Sequence, residues 1–250
     1  MSRDLDYRNP KLEGRYLEAI ITCVNYPDFL QVTLPHNKQY FDSVVVVTSF
    51  SDKETQQICR HHNIDPVITD TFYESEDPFN KARGINLGLS HLRYNSWVIH
   101  LDADILLPYD FRNNLFMNHL DKDCVYGADR QNVFGRKEYE KLIKSNQFNL
   151  QYRDKFIFEK PFLEEGARLV HREFGYCPIG YFQLFHGSYL KKWQMKYPDN
   201  QMGAERSDVQ FALQWKKGNR RLLPATSVFH LESERSPQGK NWWGRQSAEF

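Results

Sequence analysis

The sequence predicts an α/β fold, with a mostly parallel central sheet flanked by helices. Strand and helix patterns alternate through the first half of the chain. The segment SVVVVTS (43–49) has no polar face, as expected of a strand buried between helical layers. The apolar run SWVIHLD ends on a carboxylate, Asp102, with Asp104 one residue beyond. In open α/β sheets this carboxyl edge is where ligands bind.

The elements follow in order. YLEAIIT (16–22) ends in a β-rich run, and PDFLQVTLPHNKQY (27–40) is helical at its start. DKETQQICRHHN (52–63) has an acidic start and a basic end, as a helix dipole prefers. PVIT (66–69) reads as a short strand. PFNKARGINLGLSHL (78–92) is an amphipathic helix with Ala82, Ile85, Leu89 and Leu92 on one stripe. LDKDCVYGADR (120–130) holds a short strand, and 131–180 reads as a loop-rich insertion with one helix near 136–145. GYFQLFH (180–186) is a strand in which Phe182 and Leu184 suit a core. RSDVQFALQWKKG (206–218) is a helix capped by Ser207, with Val209, Ala212, Leu213 and Trp215 inward and Lys216 and Lys217 closing it. RRLLPATSVFHLE (220–232) ends in a strand.

Composition narrows the function classes. The chain has 250 residues, 40% hydrophobic and 26% charged, enough for a full core in one domain. Its net charge of +1 gives no global attraction to nucleic acid or membrane. No apolar run is long enough to span a bilayer, and MSRDLDYRNPKLEGR is too polar for a secretory signal. Cys23, Cys59, Cys124 and Cys177 form no C-x-x-C pair, which argues against a zinc knuckle and for reduced thiols. The expectation is a cytoplasmic protein without a membrane anchor or an obligate protein partner.

Two carboxylates one residue apart repel each other, and burial adds a desolvation cost. A divalent cation and a substrate diphosphate relieve both, and carboxylate oxygens suit Mn²⁺ or Mg²⁺. Lys81 and Arg83, near a helix start, are candidates to neutralise the diphosphate; the alternative is a solvated helix face. Thr22, Val24, Asn25 and Tyr26 follow the first strand and are candidates to hold a base, or form an ordinary βα turn. In GYCPIGYFQLFHGS (175–188), Gly180 and His186 are candidate ligand contacts beside aromatic rings. In the tail, Lys240, Trp242, Trp243 and Arg245 interleave charge with aromatics. That pattern suits a phosphate backbone or a leaving diphosphate, and equally an arm docked through its tryptophans.

HLDADILLP resembles the D-x-D segment of GT-A-fold, family-2-like glycosyltransferases, which use nucleotide sugars. AIITCVNYP resembles their base-holding first strand, FNKARGINLGL the helix under the diphosphate, ERSDVQF the catalytic-base motif, and VFHLE the strand whose His completes the metal site. The resemblance covers roughly residues 16–232. It implies a GT-A-like domain over 1–250: a nucleotide-sugar half (1–130), an acceptor half (131–232) and a C-terminal arm (233–250). It also implies that Asp104 ligates the metal, Asp102 meets the ribose or the metal, and His230 is a third ligand. Asp208 would be the base of an inverting displacement, as well as a favourable charge at its helix start. The base motif usually carries two adjacent acids; here Ser207 precedes Asp208, and Glu205 is the second candidate. The donor implied is a UDP-sugar.

The compact layout and NWWGR ending are similar to bacteriophage glycosyltransferases, some of which modify hydroxymethylated pyrimidines in DNA. That makes modified DNA the leading expected acceptor, in a host cytoplasm, with a saccharide or surface glycan as rival. A nucleotidyltransferase would carry a glycine-rich N-terminal signature, and ITCVNYPDF has no glycine. A non-catalytic sugar-nucleotide-binding protein would keep Asp102 and Asp104 without needing Asp208.

Overall fold

The structure is a computed structural model that describes residues 15–74, 79–144, 169–171, 175–199 and 206–233. Its strands are β1 (Leu17–Thr22), β2 (Ser43–Thr48), β3 (Val67–Ile68), β4 (Trp97–Asp102), β5 (Ile105–Leu106), β6 (Val125–Phe134), β7 (Leu169–His171), β8 (Gly175–Cys177), β9 (Phe182–His186) and β10 (Arg220–Glu232). Its helices are α1 (Pro27–Asn37), α2 (Lys53–His61), α3 (Lys81–Ser90), α4 (Phe111–Met117), α5 (Gly135–Lys144), α6 (Gly187–Trp193) and α7 (Ser207–Leu213).

The main sheet has the order β3-β2-β1-β4-β9-β6-β10-β5, and β7 and β8 form a separate antiparallel ribbon. The predicted mostly parallel α/β sheet is present. β1 to β4, β6 and β10 all run one way, and only β9 and β5 oppose them. Strand β9 lies antiparallel between β4 and β6, joining the two halves of the chain into one sheet.

Burial on both faces explains the unbroken apolar strands. Ala19, Ile21 and Ile99 pack on the α1 side with Phe29, Leu30 and Leu34. Ile20 and Val98 pack on the other side with Ala82, Ile85 and Leu89 of α3. Gly88 is required for that approach: a Cβ there would stand 2.8 Å from the Ile20 side chain and 3.0 Å from Val47. Capping also follows sequence. Asp52 accepts from the Thr55 amide at 3.0 Å to start α2, and Asn80 accepts from the Arg83 amide at 3.3 Å to start α3.

Helix α1 also grips the segment carrying the acidic pair. Thr33 donates to the Ala103 carbonyl at 2.6 Å. Asn37 donates to the Ile105 carbonyl at 2.7 Å and accepts from the Leu107 amide at 3.0 Å. The His36 ring meets the Leu107 carbonyl at 2.8 Å. These bonds satisfy the backbone of a tight β4–β5 connection whose own ladder is only two residues long.

Two elements differ from expectation. Strand β6 extends to Phe134, because β10 pairs with it nearly to the end. Helix α7 stops at Leu213, short of the 206–218 helix read from sequence, and the next turn buries Trp215 against Phe185 and Phe211. Phe211 and Ala212 are its fully buried residues, Ala212 as expected, whereas Val209 and Leu213 are half-buried. Ser207 is the first helical residue and not the cap; Arg206 holds the cap position in a left-handed conformation at φ 63°.

Replacing Asn37 with Ala tests the α1 grip. It leaves the Ile105 carbonyl and Leu107 amide without partners in a position 1% exposed. At about 1–3 kcal/mol for each of the two orphaned groups, urea unfolding should show a loss of about 2–6 kcal/mol. A loss under about 1 kcal/mol would show that the grip is dispensable.

Candidate active site

The carboxyl ends of β1, β4 and β10 converge, and the strand register determines which side chains meet. Thr22 at the end of β1 pairs with Asp102 at the end of β4. His230 on β10 pairs with Ile105, just past Asp104. The Lys81 ammonium, in the first turn of α3, forms an ion pair and hydrogen bond with Asp102 Oδ1. His230 Nε2 stands 3.4 Å from Asp104 Oδ2, and its Nδ1 stands 2.8 Å from Glu232 Oε1. Tyr26 donates its hydroxyl to Asp104 Oδ2 at 3.2 Å. The opening repulsion is thus met by cations of the protein itself, one for each carboxylate.

The titration directions follow from this pairing. Burial pushes the Asp102 carboxyl up; Lys81 pulls it back and Asp104 adds to the rise, leaving it above the usual range. Burial also acts on Asp104, but His230, and then Lys81 and Tyr26, outweigh it and hold that carboxyl below the usual range. Desolvation works against the His230 imidazolium, yet Asp104 and Glu232 raise it to about 9. Lys81 is likewise raised despite burial, chiefly by Asp102. The site therefore reads as a charged, paired cluster at neutral pH.

On the other side, the loop before β9 serves both acids. The Asp102 amide donates to the Tyr181 carbonyl at 3.2 Å, and the Gly180 amide donates to Asp208 Oδ2 at 2.5 Å. Two consecutive residues thus hold Asp102 and Asp208. Gly180 has no room for a side chain, since a Cβ would lie 2.9 Å from Asp208 Oδ2.

The other expected residues divide. Thr22 is buried with a hydroxyl that has no hydrogen-bond partner. Val24 is core, packed with Val47, Phe72 and Phe79. Asn25 takes a left-handed turn at φ 55° and is held by its amide on Asp52 Oδ2 at 2.7 Å. Tyr26 does not present its ring; it stacks on Phe29 at 4.6 Å. Arg83 keeps a buried Nη1 without a partner. His186 lies at the wrong end: it pairs with Trp97, five residues before Asp102 and about 16 Å along the strand. Its ring accepts from the Ser188 amide and packs edge-on to Trp97, so it is a cap and core residue and leaves the candidate set. Glu205, Lys240, Trp242, Trp243 and Arg245 lie outside the described residues.

The sequence reading missed several participants. Glu232 was legible, since it follows His230 by two residues on one strand face. Arg130, whose guanidinium lies 4.9 Å over the Tyr181 ring, depends on the β6–β10 pairing and had no local signal. The same holds for Asp52 under Asn25 and for Asn37 and Thr33 under the acidic segment.

A family profile described as "Glycosyl transferase family 2" matches residues 18–177, more than half of the chain and including the acidic pair. The chain belongs to glycosyl transferase family 2. Membership of that family makes it a glycosyltransferase, which sets aside the nucleotidyltransferase reading. No curated protein sequence matches the chain. Among solved structures it is similar to glucosyl-3-phosphoglycerate synthase from Mycobacterium tuberculosis in complex with Mn²⁺, UDP-glucose and phosphoglyceric acid. The TM-score is 0.53 at 12% identity, covering 88% of this chain and 72% of that one. Structures of that enzyme with UDP (TM-score 0.51, 11% identity, 85% and 71% covered) and with Mn²⁺, UDP-glucose and glycerol 3-phosphate (0.51, 12%, 88% and 73%) also match. At these identities the likeness establishes the shared GT-A fold. No helix among the described residues is long and apolar enough to cross a membrane.

His186 gives a pH prediction. Burial, with the Lys122 charge, lowers it from 6.5 to about 4, so it is neutral in the fold. The unfolded chain takes up that proton near 6.5, so the stabilisation is full above 6.5 and lost as pH falls toward 4. His186→Asn keeps an acceptor for the Ser188 amide. Between pH 7 and 5 this variant should lose about 2 kcal/mol less unfolding free energy than the wild type. Equal losses would contradict the assignment.

Proposed function

We propose that the protein transfers a sugar from a nucleoside-diphosphate sugar, with uridine as the base, to a hydroxyl acceptor by single displacement. The observation that carries this is the placement of Asp102 and Asp208 on consecutive residues of one loop, with Lys81 on the first acid. One acid faces the diphosphate side and the other faces the acceptor side. Thr22 and the Asn25–Tyr26 turn border the base, and Lys81 and Arg83 of α3 neutralise the diphosphate. The acceptor oxygen bonds to the anomeric carbon as the bond from that carbon to the diphosphate breaks. The acceptor proton passes to Asp208, a contribution of about 10²–10⁴-fold. The product would have inverted configuration.

A divalent cation, Mn²⁺ or Mg²⁺, fits the residues present. Asp104 Oδ1 is buried without a hydrogen-bond partner, and His230 Nε2 would offer a nitrogen donor on giving up its proton, with Glu232 facing Nδ1. Among the described residues no three or more His, Cys, Asp or Glu side chains form a ready-made metal cage. Such sparse protein ligation leaves positions for phosphate oxygens, which is how these ions are held beside diphosphates. Asp104 and His230, with Asp102 nearby, would hold the ion, and an imidazole donor suits Mn²⁺. When bound, it supplies positive charge to the leaving diphosphate.

The acceptor is proposed only as a hydroxyl. The expectation of hydroxymethylated DNA rested on the compact layout and the NWWGR ending; the ending lies outside the described residues, and no described residue favours that acceptor. The mycobacterial synthase was solved with phosphoglyceric acid and with glycerol 3-phosphate, which makes small phosphorylated alcohols reasonable additions to an acceptor screen.

Thermal unfolding with a panel of nucleoside diphosphates, with and without Mn²⁺, tests the donor reading. A ligand at about 100 times its dissociation constant adds about 2.7 kcal/mol. UDP should stabilise the wild type only with Mn²⁺, and Asp104→Asn should lose the effect. A shift from another nucleotide alone would overturn the uridine assignment, and a shift retained in Asp104→Asn would overturn the metal site. Asp208→Asn should keep the shift and lose turnover; loss of neither would contradict the base.

A further inference from the structure

Gln183 is an amide with no solvent exposure, set on β9 between the core residues Phe182 and Leu184. A buried amide at such a place is costly unless its groups are satisfied. Here they are committed to the two segments that form the acceptor side of the site. Nε2 donates to the Pro178 carbonyl at 2.9 Å and to the Asp208 carbonyl at 2.9 Å. Oε1 accepts from the Tyr197 hydroxyl at 2.5 Å. One side chain therefore spans the loop that presents the Gly180 amide and the helix that presents the Asp208 carboxylate.

Tyr197 extends the connection. It is fully buried, and its ring stacks on Phe211 of α7 with centroids 3.8 Å apart and planes 11° apart. Its hydroxyl also lies 3.3 Å from His100 Nδ1 on β4. The hydroxyl proton is committed to Gln183, so His100 is the donor in that contact. Asn86 of α3 clamps the Tyr197 backbone twice: its Oδ1 accepts from the Tyr197 amide at 2.8 Å, and its Nδ2 donates to the Tyr197 carbonyl at 2.8 Å. Asn80, the cap of α3, donates to the Asp199 carbonyl at 2.9 Å. Helix α3 is the one whose first turn carries Lys81 on Asp102.

We propose that Gln183, braced by Tyr197, is a positioning residue for catalysis: it locks Asp208 onto the Gly180 amide and ties that carboxylate to the donor-side helix α3. This rests on the reading of Asp208 as the base. An apolar side chain of similar volume would fill the same space in the core. What it could not do is fix the direction of two backbone carbonyls and, through them, the Gly180–Asp208 pair. A misplacement of about 1 Å in a base of this kind is enough to cost about 10²-fold in rate.

The test uses Gln183→Met, close in volume but without polar groups, and Tyr197→Phe, which keeps the stack and the Asn86 clamp but loses the hydroxyl. The first readout is hydrogen exchange at the Gly180 amide by NMR, relative to the β1 amides. Exchange at Gly180 should rise about tenfold or more in both variants while β1 is unchanged, the signature of local release. The second readout is turnover of the donor that the nucleotide panel selects. It should fall about tenfold or more, with nucleotide affinity within about twofold, because the lost interaction acts on the transition state.

Asp208→Asn is the control. Its amide oxygen still accepts from Gly180, so protection should persist while turnover is lost. If Gln183→Met fails to fold, Tyr197→Phe decides alone. Unchanged Gly180 exchange and turnover in the folded variants would overturn the inference while leaving Asp208 as the base. Full turnover in Asp208→Asn would overturn the base reading and this inference with it.

Discussion

The site depends on charge compensation at the end of β4. An apolar strand that delivers Asp102, with Asp104 just beyond it, into a buried edge is unfavourable unless each carboxylate finds positive charge. Lys81 answers the first and His230 the second. Each cation comes from a distant part of the chain, so the two ion pairs draw α3 and the end of β10 to the same place. Glu232 then balances His230 from its other side. The protein holds a preassembled polar cluster, in which the proposed diphosphate and divalent ion would exchange partners with groups already in position. That is the arrangement expected where electrostatic preorganisation, and not covalent chemistry, does most of the work.

Much of this was legible in the sequence, for physical reasons. Buried parallel strands need continuous apolar runs, so SVVVVTS and SWVIHLD announced themselves and, with the alternating helices, gave the α/β sheet. Caps such as Asp52 and Asn80 act within three residues, which is the range over which sequence patterns are informative. The D-x-D acids, Lys81, His230 and Asp208 were legible because charged residues at strand ends and helix starts are rare enough to need a reason. Family resemblance then placed them in order.

The misreadings share one cause. His186 looked like a ligand contact because glycines and aromatics surround it in the chain. Strand β9, however, runs antiparallel to β4, so its two ends lie at opposite edges of the sheet. Gly180 falls at the site and His186 does not. Ser207 looked like a cap because of its residue type, yet Arg206 takes that position as the loop turns Asp208 toward Gly180. Tyr26, a candidate to hold a base, turns its ring onto Phe29 and its hydroxyl to Asp104. Asn37 and Gln183 act on backbone groups remote in sequence and Tyr197 on the Gln183 side chain, and nothing in their local surroundings marks them.

The central claim is that the acidic pair is held by the protein's own cations. A double-mutant cycle of Lys81→Met and Asp102→Asn, followed by urea unfolding in the absence of metal and nucleotide, measures this directly. The pair is partly solvent-exposed, so screening reduces its worth. The predicted coupling is about 1 kcal/mol or more, with the double variant more stable than the sum of the single losses implies. Additive losses within about 0.3 kcal/mol would show that Asp102 is tolerated at the strand end without Lys81 and would contradict the account.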